Sequence, residues 1–256
     1  NENLITYISG AMDCSDLLEK HKKDYIDGLR QIIVNTIKKP RIAFVGRSDT
    51  GKSTLINTLL GAEKMPTSWT PTTSIAVYLK HISERPDFIK DDVWIFSSQV
   101  GDETLWDVRK LHNEEYCTAW KIAGGEVGLL RSYGIRQGEN YDKQAGAAVI
   151  FVDSPALINC DIIDLPGFGT ETASDDNITL AVAGKADIII YLSQANGFMR
   201  IEDITYLKEN IRNLSVWEKR GESSLAPLAN LFVVASQAHT VNHGNRSELK
   251  NILDKG

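Results

Sequence analysis

The sequence predicts an α/β protein with a mostly parallel central sheet flanked by helices. Two observations carry that expectation. From residue 41 onward, short apolar runs that read as buried strands alternate with segments of helical periodicity. The stretch GRSDTGKST (46–54) lies between one such run, RIAFV, and a helical segment, STLINTLLG. A glycine-rich turn between a strand and a helix is a phosphate-binding arrangement.

The elements follow in order. Residues 1–40 read as an N-terminal helical segment. Asp13 to Asp16 mark a break, with Ser15 or Asp16 as a new N-cap before Leu17. Leu18, Tyr25, Ile26, Leu29, Ile32, Ile33 and Ile37 then recur at helical spacing. Such a helix either packs on the domain that follows or forms part of a helical bundle or neck. Pro40 ends it, and residues 41–256 form the second domain. There RIAFVG is a strand, STLINTLLG a helix closed by Gly61, and SIAVYLKHI (74–82) a strand. Residues 83–146 read as a long insert, with a helix within 102–123 and Gly-rich polar sequence after it. AAVIFV and ALINCDIID read as two strands joined by a turn at 153–155, an antiparallel pair. DNITLAVAGKA is helical, DIIIYLSQ a strand and IEDITYLKENIRNL a helix. NLFVVASQ is a further buried strand, and SELKNILDKG a helix capped by Ser247 and closed near Gly256.

Bulk properties narrow the function. The 256 residues are 42% hydrophobic, enough for one large domain with an appendage. The net charge is −6 and no extended basic run occurs, so a nucleic-acid partner is not expected. Three widely spaced cysteines, Cys14, Cys117 and Cys160, suit buried thiols in a reducing compartment. The longest apolar runs are too short to span a bilayer and no signal peptide is evident, which predicts a cytoplasmic protein.

Gly46-x4-Gly51-Lys52-Ser53 fits the pattern GxxxxGK[ST]. Glycines let backbone N–H groups turn inward and approach phosphate oxygens closely. The helix that starts near Lys52 points its positive end at the same anion. Lys52 is then expected to reach the outer phosphates, and the Ser53 hydroxyl to ligate Mg²⁺. Arg47, Ser48, Asp49, Thr50 and Thr54 complete the nucleotide-binding loop. Asp164-Leu165-Pro166-Gly167 ends a second apolar strand. Asp164 is expected to hold Mg²⁺ through a water, and the Gly167 N–H to meet the γ-phosphate. Between them lies the polar PTSWTPTTS (66–74), placed to close over the γ-phosphate. Thr73, or failing it Thr72, would offer a hydroxyl to Mg²⁺.

These stretches resemble the G domain of the dynamin superfamily, bacterial dynamin-like proteins above all. GRSDTGKSTLINTLLG followed by MPTSWTPTT, VIFVDSPALINCDIIDLPGFG and KADIIIYLSQANGFMRIEDITYL carry the resemblance, over about residues 41–240. It implies a P-loop NTPase G domain that binds GTP and GDP and hydrolyses GTP with Mg²⁺. It implies a homodimer formed through the G domain, and peripheral membrane remodelling performed by regions outside this chain. The N-terminal helix would join the G domain to a helical bundle. The family's fifth motif has no counterpart, so the domain is expected to continue beyond residue 256.

Two departures qualify the resemblance. The family's base-reading [NT]-K-x-D is replaced by Ser236-Gln237-Ala238-His239. Gln237 or His239 could contact the base, but neither offers the double acceptor of a carboxylate. A dynamin-related ATPase or low-turnover nucleotide switch is therefore one alternative, and a ribosome-assembly or tRNA-modifying GTPase another. The residue after Gly167 is Phe168, which has no polar group to orient an attacking water. In related GTPases with an apolar residue there, the loop position of Asp49 often ligates K⁺ or Na⁺. By that resemblance Asp49 could recruit a monovalent cation that stabilises developing charge. Arg47 is a candidate charge stabiliser across a dimer interface, and Trp69 a candidate for stacking. His239 and His243 would share a helical face only if that stretch were helical.

Overall fold

The computed structural model describes residues 39–65, 75–134, 138–140, 144–167, 179, 181–210 and 228–255. The N-terminal helix, the 66–74 loop with Trp69, Thr72 and Thr73, and Phe168 lie outside the described residues. The chain divides into two compact units, Asn1–Lys39 and Pro40–Gly256, and the second carries the sheet.

The strands are β1 (Arg41–Gly46), β2 (Ala76–His81), β3 (Val93–Ser97), β4 (Gln99–Val100), β5 (Glu103–Thr104), β6 (Lys121–Gly125), β7 (Ala145–Val152), β8 (Asp161–Asp164), β9 (Ile188–Gln194) and β10 (Leu231–Ser236). The helices are α1 (Lys52–Leu60), α2 (Glu114–Trp120), α3 (Leu129–Gly134), α4 (Ile201–Asn210) and α5 (Arg246–Lys255). Eight strands form one sheet in the order β10-β9-β1-β8-β2-β7-β3-β6, and β4 pairs with β5 apart from it. The ladders β1–β8, β1–β9, β9–β10 and β2–β7 are parallel. The ladders β2–β8, β3–β6 and β3–β7 are antiparallel.

The continuous apolar runs reflect burial on both faces. Alternate residues of each strand enter opposite cores. Ala43, Val45, Tyr78, Val149 and Tyr191 join one cluster. Phe44, Val77, Leu79, Ile150 and Leu192 join the other, with Ile56 and Leu60 of α1. Gly61 closes α1 in a left-handed conformation (φ 68°), as the sequence predicts.

Four expectations need correction. First, β7 and β8 are not paired: β2 lies between them, parallel to β7 and antiparallel to β8. The 153–155 stretch leads into a 3₁₀ turn, Pro155–Leu157, whose buried Leu157 joins the core cluster that holds Ile56 and Leu60. Second, the insert is not a helix among polar loops alone. It adds β3 and β6 to the sheet, and its helices are the short α2 and α3. Third, β10 is half-exposed rather than buried, and among the described residues it is an edge strand. It pairs with β9 on one side, and Phe232 is 54% exposed among the described residues. Fourth, α5 begins at Arg246, and the cap is Asn245 rather than Ser247. The Asn245 Oδ1 accepts from the backbone N–H groups of Ser247 and Glu248, at 3.0 and 3.3 Å.

Candidate functional site

Because β8, β1, β9 and β10 run parallel, their carboxyl ends share one edge of the sheet. Open α/β sheets bind ligands at such edges. The turn 46–51 leaves β1 there, Asp164 ends β8, Gln194 ends β9 and Ser236 ends β10.

Close approach dictates the glycines. A Cβ on Gly46 would lie 2.5 Å from the Leu192 carbonyl oxygen, so β1 could not run on beside β9 with a larger residue. A Cβ on Gly167 would lie 2.7 Å from the Ser48 backbone nitrogen. The segment after β8 therefore touches the backbone of the 46–51 turn directly. The Thr179 hydroxyl donates to the Pro166 carbonyl at 3.0 Å and holds that segment in place.

Lys52 is buried and folds back across the loop. Its Nζ donates to the carbonyls of Gly46 at 3.0 Å and Arg47 at 2.9 Å. The Thr50 hydroxyl also donates to the Arg47 carbonyl, at 2.9 Å. Burial lowers the Lys52 pKa, while the nearby Asp164 and Asp49 carboxylates oppose that shift. The Ser53 hydroxyl donates to Asp164 Oδ2 at 2.7 Å. Asp164 is fully buried, and its other oxygen, Oδ1, has no hydrogen-bond partner among the described residues. Burial pushes the Asp164 pKa up to about 6, against the opposing pull of Lys52 and the Ser53 hydrogen bond.

A hydroxyl and a carboxylate held together, with one carboxylate oxygen unsatisfied, form a hard-oxygen pair. That pair fits Mg²⁺, which takes one or two protein ligands and completes its shell with water and phosphate. An orphaned buried carboxylate oxygen suits a hard cation better than a purely structural hydrogen bond.

Asp49 is exposed and left-handed, with φ 62°. Its backbone carbonyl accepts from Gln194 Nε2 at 3.1 Å and Gln237 Nε2 at 2.6 Å. The Ser236 hydroxyl donates to the Ser193 carbonyl at 3.3 Å. His239 is exposed in a short 3₁₀ turn, Ala238–Thr240, and His243 sits in a second turn with φ 53°. The two histidines therefore do not share a helical face, and no cluster of three metal-ligating side chains occurs among the described residues. Arg47 lies 3.7 Å from Glu202, its charge directed to an exposed pair. Thr54 is exposed on α1, and its carbonyl accepts from the Thr58 hydroxyl.

Three further residues escaped the sequence reading. Gln194 contacts the loop. Buried Asp203 accepts from the Tyr191 and Ser193 hydroxyls at 2.8 and 2.9 Å and from the Arg200 N–H at 3.1 Å. Its position in the first turn of α4 was the available signal. Asn57 Oδ1 accepts from Lys64 N and Met65 N, and its Nδ2 donates to the Met65 carbonyl, fixing the chain that leads into the 66–74 loop.

Comparisons with known proteins agree with this arrangement. A family model described as the dynamin family matches residues 42–216. A stretch of 57 residues is 49% identical to "GTPase Der" of Xanthomonas campestris pv. campestris (strain B100), covering 21% of this chain and 12% of that protein. Two solved structures of an oligomerised bacterial dynamin pair, described as a mechanism for long-range sensing and tethering of membranes, superpose with TM-scores of 0.57 and 0.52 at 16% identity. Each covers 99% of this chain, while this chain spans 34% of each of theirs. Identity that low shows a common fold.

Proposed function

The chain belongs to the dynamin family and carries its GTPase domain, and on that premise we propose that it binds GTP with Mg²⁺ and hydrolyses the β–γ anhydride. The Ser53–Asp164 hydrogen bond with its unsatisfied Oδ1, set beside Lys52 and the phosphate loop, carries this reading. The loop N–H groups would bind the phosphates, and Lys52 would exchange its loop carbonyls for phosphate oxygens. Ser53 and Asp164 would hold Mg²⁺, Asp164 through a water, with Thr73 of the 66–74 loop as a further ligand. When bound, Mg²⁺ would neutralise phosphate charge as the leaving group departs. The Gly167 N–H would face the γ-phosphate, and the Asp49 carboxylate could attract K⁺ or Na⁺ beside it.

Phe168 leaves no side chain to orient water, so turnover is proposed to be slow until two G domains pair across their nucleotides, with Arg47 at that interface. The solved relatives support such pairing by being oligomeric. Among the described residues no helix is long and apolar enough to cross a membrane. Peripheral membrane remodelling, by regions outside these residues, and a cytoplasmic location complete the reading. The local likeness to GTPase Der covers 21% of the chain and supports a GTPase rather than any particular cellular role.

The base is the decisive point. Titration calorimetry with GDP and with ADP tests it. GDP is expected to bind at least about tenfold more tightly, the discrimination that one or two base hydrogen bonds supply. Equal or tighter ADP binding overturns the guanine reading in favour of a dynamin-related ATPase.

A further inference from the structure

The stretch that replaces the base-reading motif is turned toward the protein itself. Gln237 follows β10 in a left-handed conformation, φ 53°, and Asp49 in the loop is left-handed at φ 62°. Both are non-glycine residues in a sparsely populated region, which persists only where surrounding contacts hold it. Those contacts are present. The Asp49 carbonyl accepts from two amides that arrive from neighbouring strand ends, Gln237 at 2.6 Å and Gln194 at 3.1 Å. The two strand ends are themselves tied: Ala195 N donates to the Ser236 carbonyl at 2.8 Å, and the Ser236 hydroxyl to the Ser193 carbonyl. The Gln237 carbonyl is occupied by Thr240, which donates its N–H at 2.9 Å and its hydroxyl at 2.8 Å.

A phosphate loop needs its N–H groups inward and its carbonyls outward. An outward carbonyl held by two donors fixes the peptide plane between Asp49 and Thr50, and so aims the Thr50 N–H. We propose that Gln194 and Gln237 are positioning residues that jointly hold the phosphate loop through the Asp49 carbonyl, and that Gln237 serves the phosphates rather than the base. This rests on the reading of 46–53 as a nucleotide-binding loop. Ser236 and Gln237 are thereby removed from base recognition, and His239 is left as the side chain of that stretch available to it.

The test uses the full chain and measures GDP and ADP affinity for Gln194→Leu, Gln237→Leu, the double variant and Gln237→Lys, with thermal unfolding alongside. Leucine removes the N–H donor, and lysine restores one. Each single leucine variant is expected to lose about two- to threefold in affinity, because the other amide still holds the carbonyl. The double variant is expected to lose more than the product of the singles, about tenfold or more, as two partners of one acceptor couple. The loss should be equal for GDP and ADP, and Gln237→Lys should recover most of it. A loss from Gln237→Leu confined to one purine would show that Gln237 reads the base and overturn the proposal. A double variant no weaker than the worse single would overturn the joint role. The preference of the unmodified chain for GDP or ADP is a separate readout, so the guanine reading can fail while the equal loss still stands.

Discussion

The two ends of the eight-stranded sheet are built differently. At the β10-β9-β1-β8 end, side chains and backbone are held in costly arrangements. Lys52 and Asp164 are buried ionisable groups, Asp164 Oδ1 is unsatisfied, and Asp49 and Gln237 are left-handed. At the β7-β3-β6 end the insert closes the sheet with aromatic packing. Phe96 and Trp106 stack at 4.0 Å between centroids and 7° between planes, and Tyr78 meets Trp106 edge-on at 5.6 Å. Lys121 lies 3.8 Å from the Trp94 ring centroid. Strain and buried charge persist only where the rest of the fold over-determines them. The insert end carries strain too, at left-handed Leu105 and Gln144 and at Trp106 Nε1, unsatisfied among the described residues, but seats it in aromatic packing, whereas the loop end seats it around the proposed nucleotide site.

The largest test of that division is Phe96→Ala. Phe96 is fully buried in the cluster that also holds Trp94, Trp106 and Trp120. Its removal should destabilise the domain by about 3–5 kcal/mol, measured by denaturant unfolding. Nucleotide affinity, measured well below the unfolding transition, should stay within about twofold, because β7 and β2 lie between β3 and the strands that carry the loop, and separated sites act nearly independently. An affinity that fell in step with stability would show that the two ends are one unit.

A smaller effect belongs to Asp164. Burial raises its pKa from 3.8 to about 6 in the folded chain without metal. A carboxyl with a raised folded-state pKa favours the native state below its unfolded pKa, and that contribution is lost as pH rises through the folded value. Between pH 4 and 6, metal-free protein should therefore lose on the order of 2 kcal/mol that Asp164→Asn does not lose. Differencing the two unfolding curves isolates this group from the other carboxylates. Mg·nucleotide binding should show the reverse trend and weaken as pH falls through about 6, since a metal-binding carboxylate must be ionised. Parallel curves for the two proteins would remove the buried carboxylate as a source of tension at the loop end.

The sequence made one end far more legible than the other. A phosphate loop is local: glycines, lysine and serine at fixed spacing, between a strand and a helix, name their own neighbours. Asp164 and Gly167 were singled out for the same reason, and the structure brings them beside Ser53 and Ser48. The β3 and β6 strands were not, because VWIFS is short and KIAGG carries two glycines, so neither shows a clean period. The separation of β7 from β8 was invisible for another reason. Two strands close in sequence usually pair, and nothing local announces that β2 enters between them. NLFVVAS reads as core by composition, yet it lies half-exposed with one neighbour among the described residues, since exposure depends on whether a second strand lies beside it. Gln194 had no signal at all: a glutamine at a strand end acquires meaning through the carbonyl it meets.

The smallest expected effect lies at the rim of the loop, where Arg47 approaches Glu202 at 3.7 Å. Both side chains are well exposed, at 38% and 57%. An ion pair so placed gains little, because water screens it and two long side chains lose freedom. Glu202→Gln should therefore change unfolding stability by no more than about 0.5 kcal/mol. Its effect on nucleotide should be different in kind. Removing a negative charge near a phosphate-binding loop should raise affinity by less than about threefold at low ionic strength, and the gain should vanish by about 1 M salt, where the Debye length falls to about 3 Å. A salt-independent gain would mean instead that Glu202 holds Arg47 away from the phosphates. The rim would then share the tension of the buried loop rather than lie outside it.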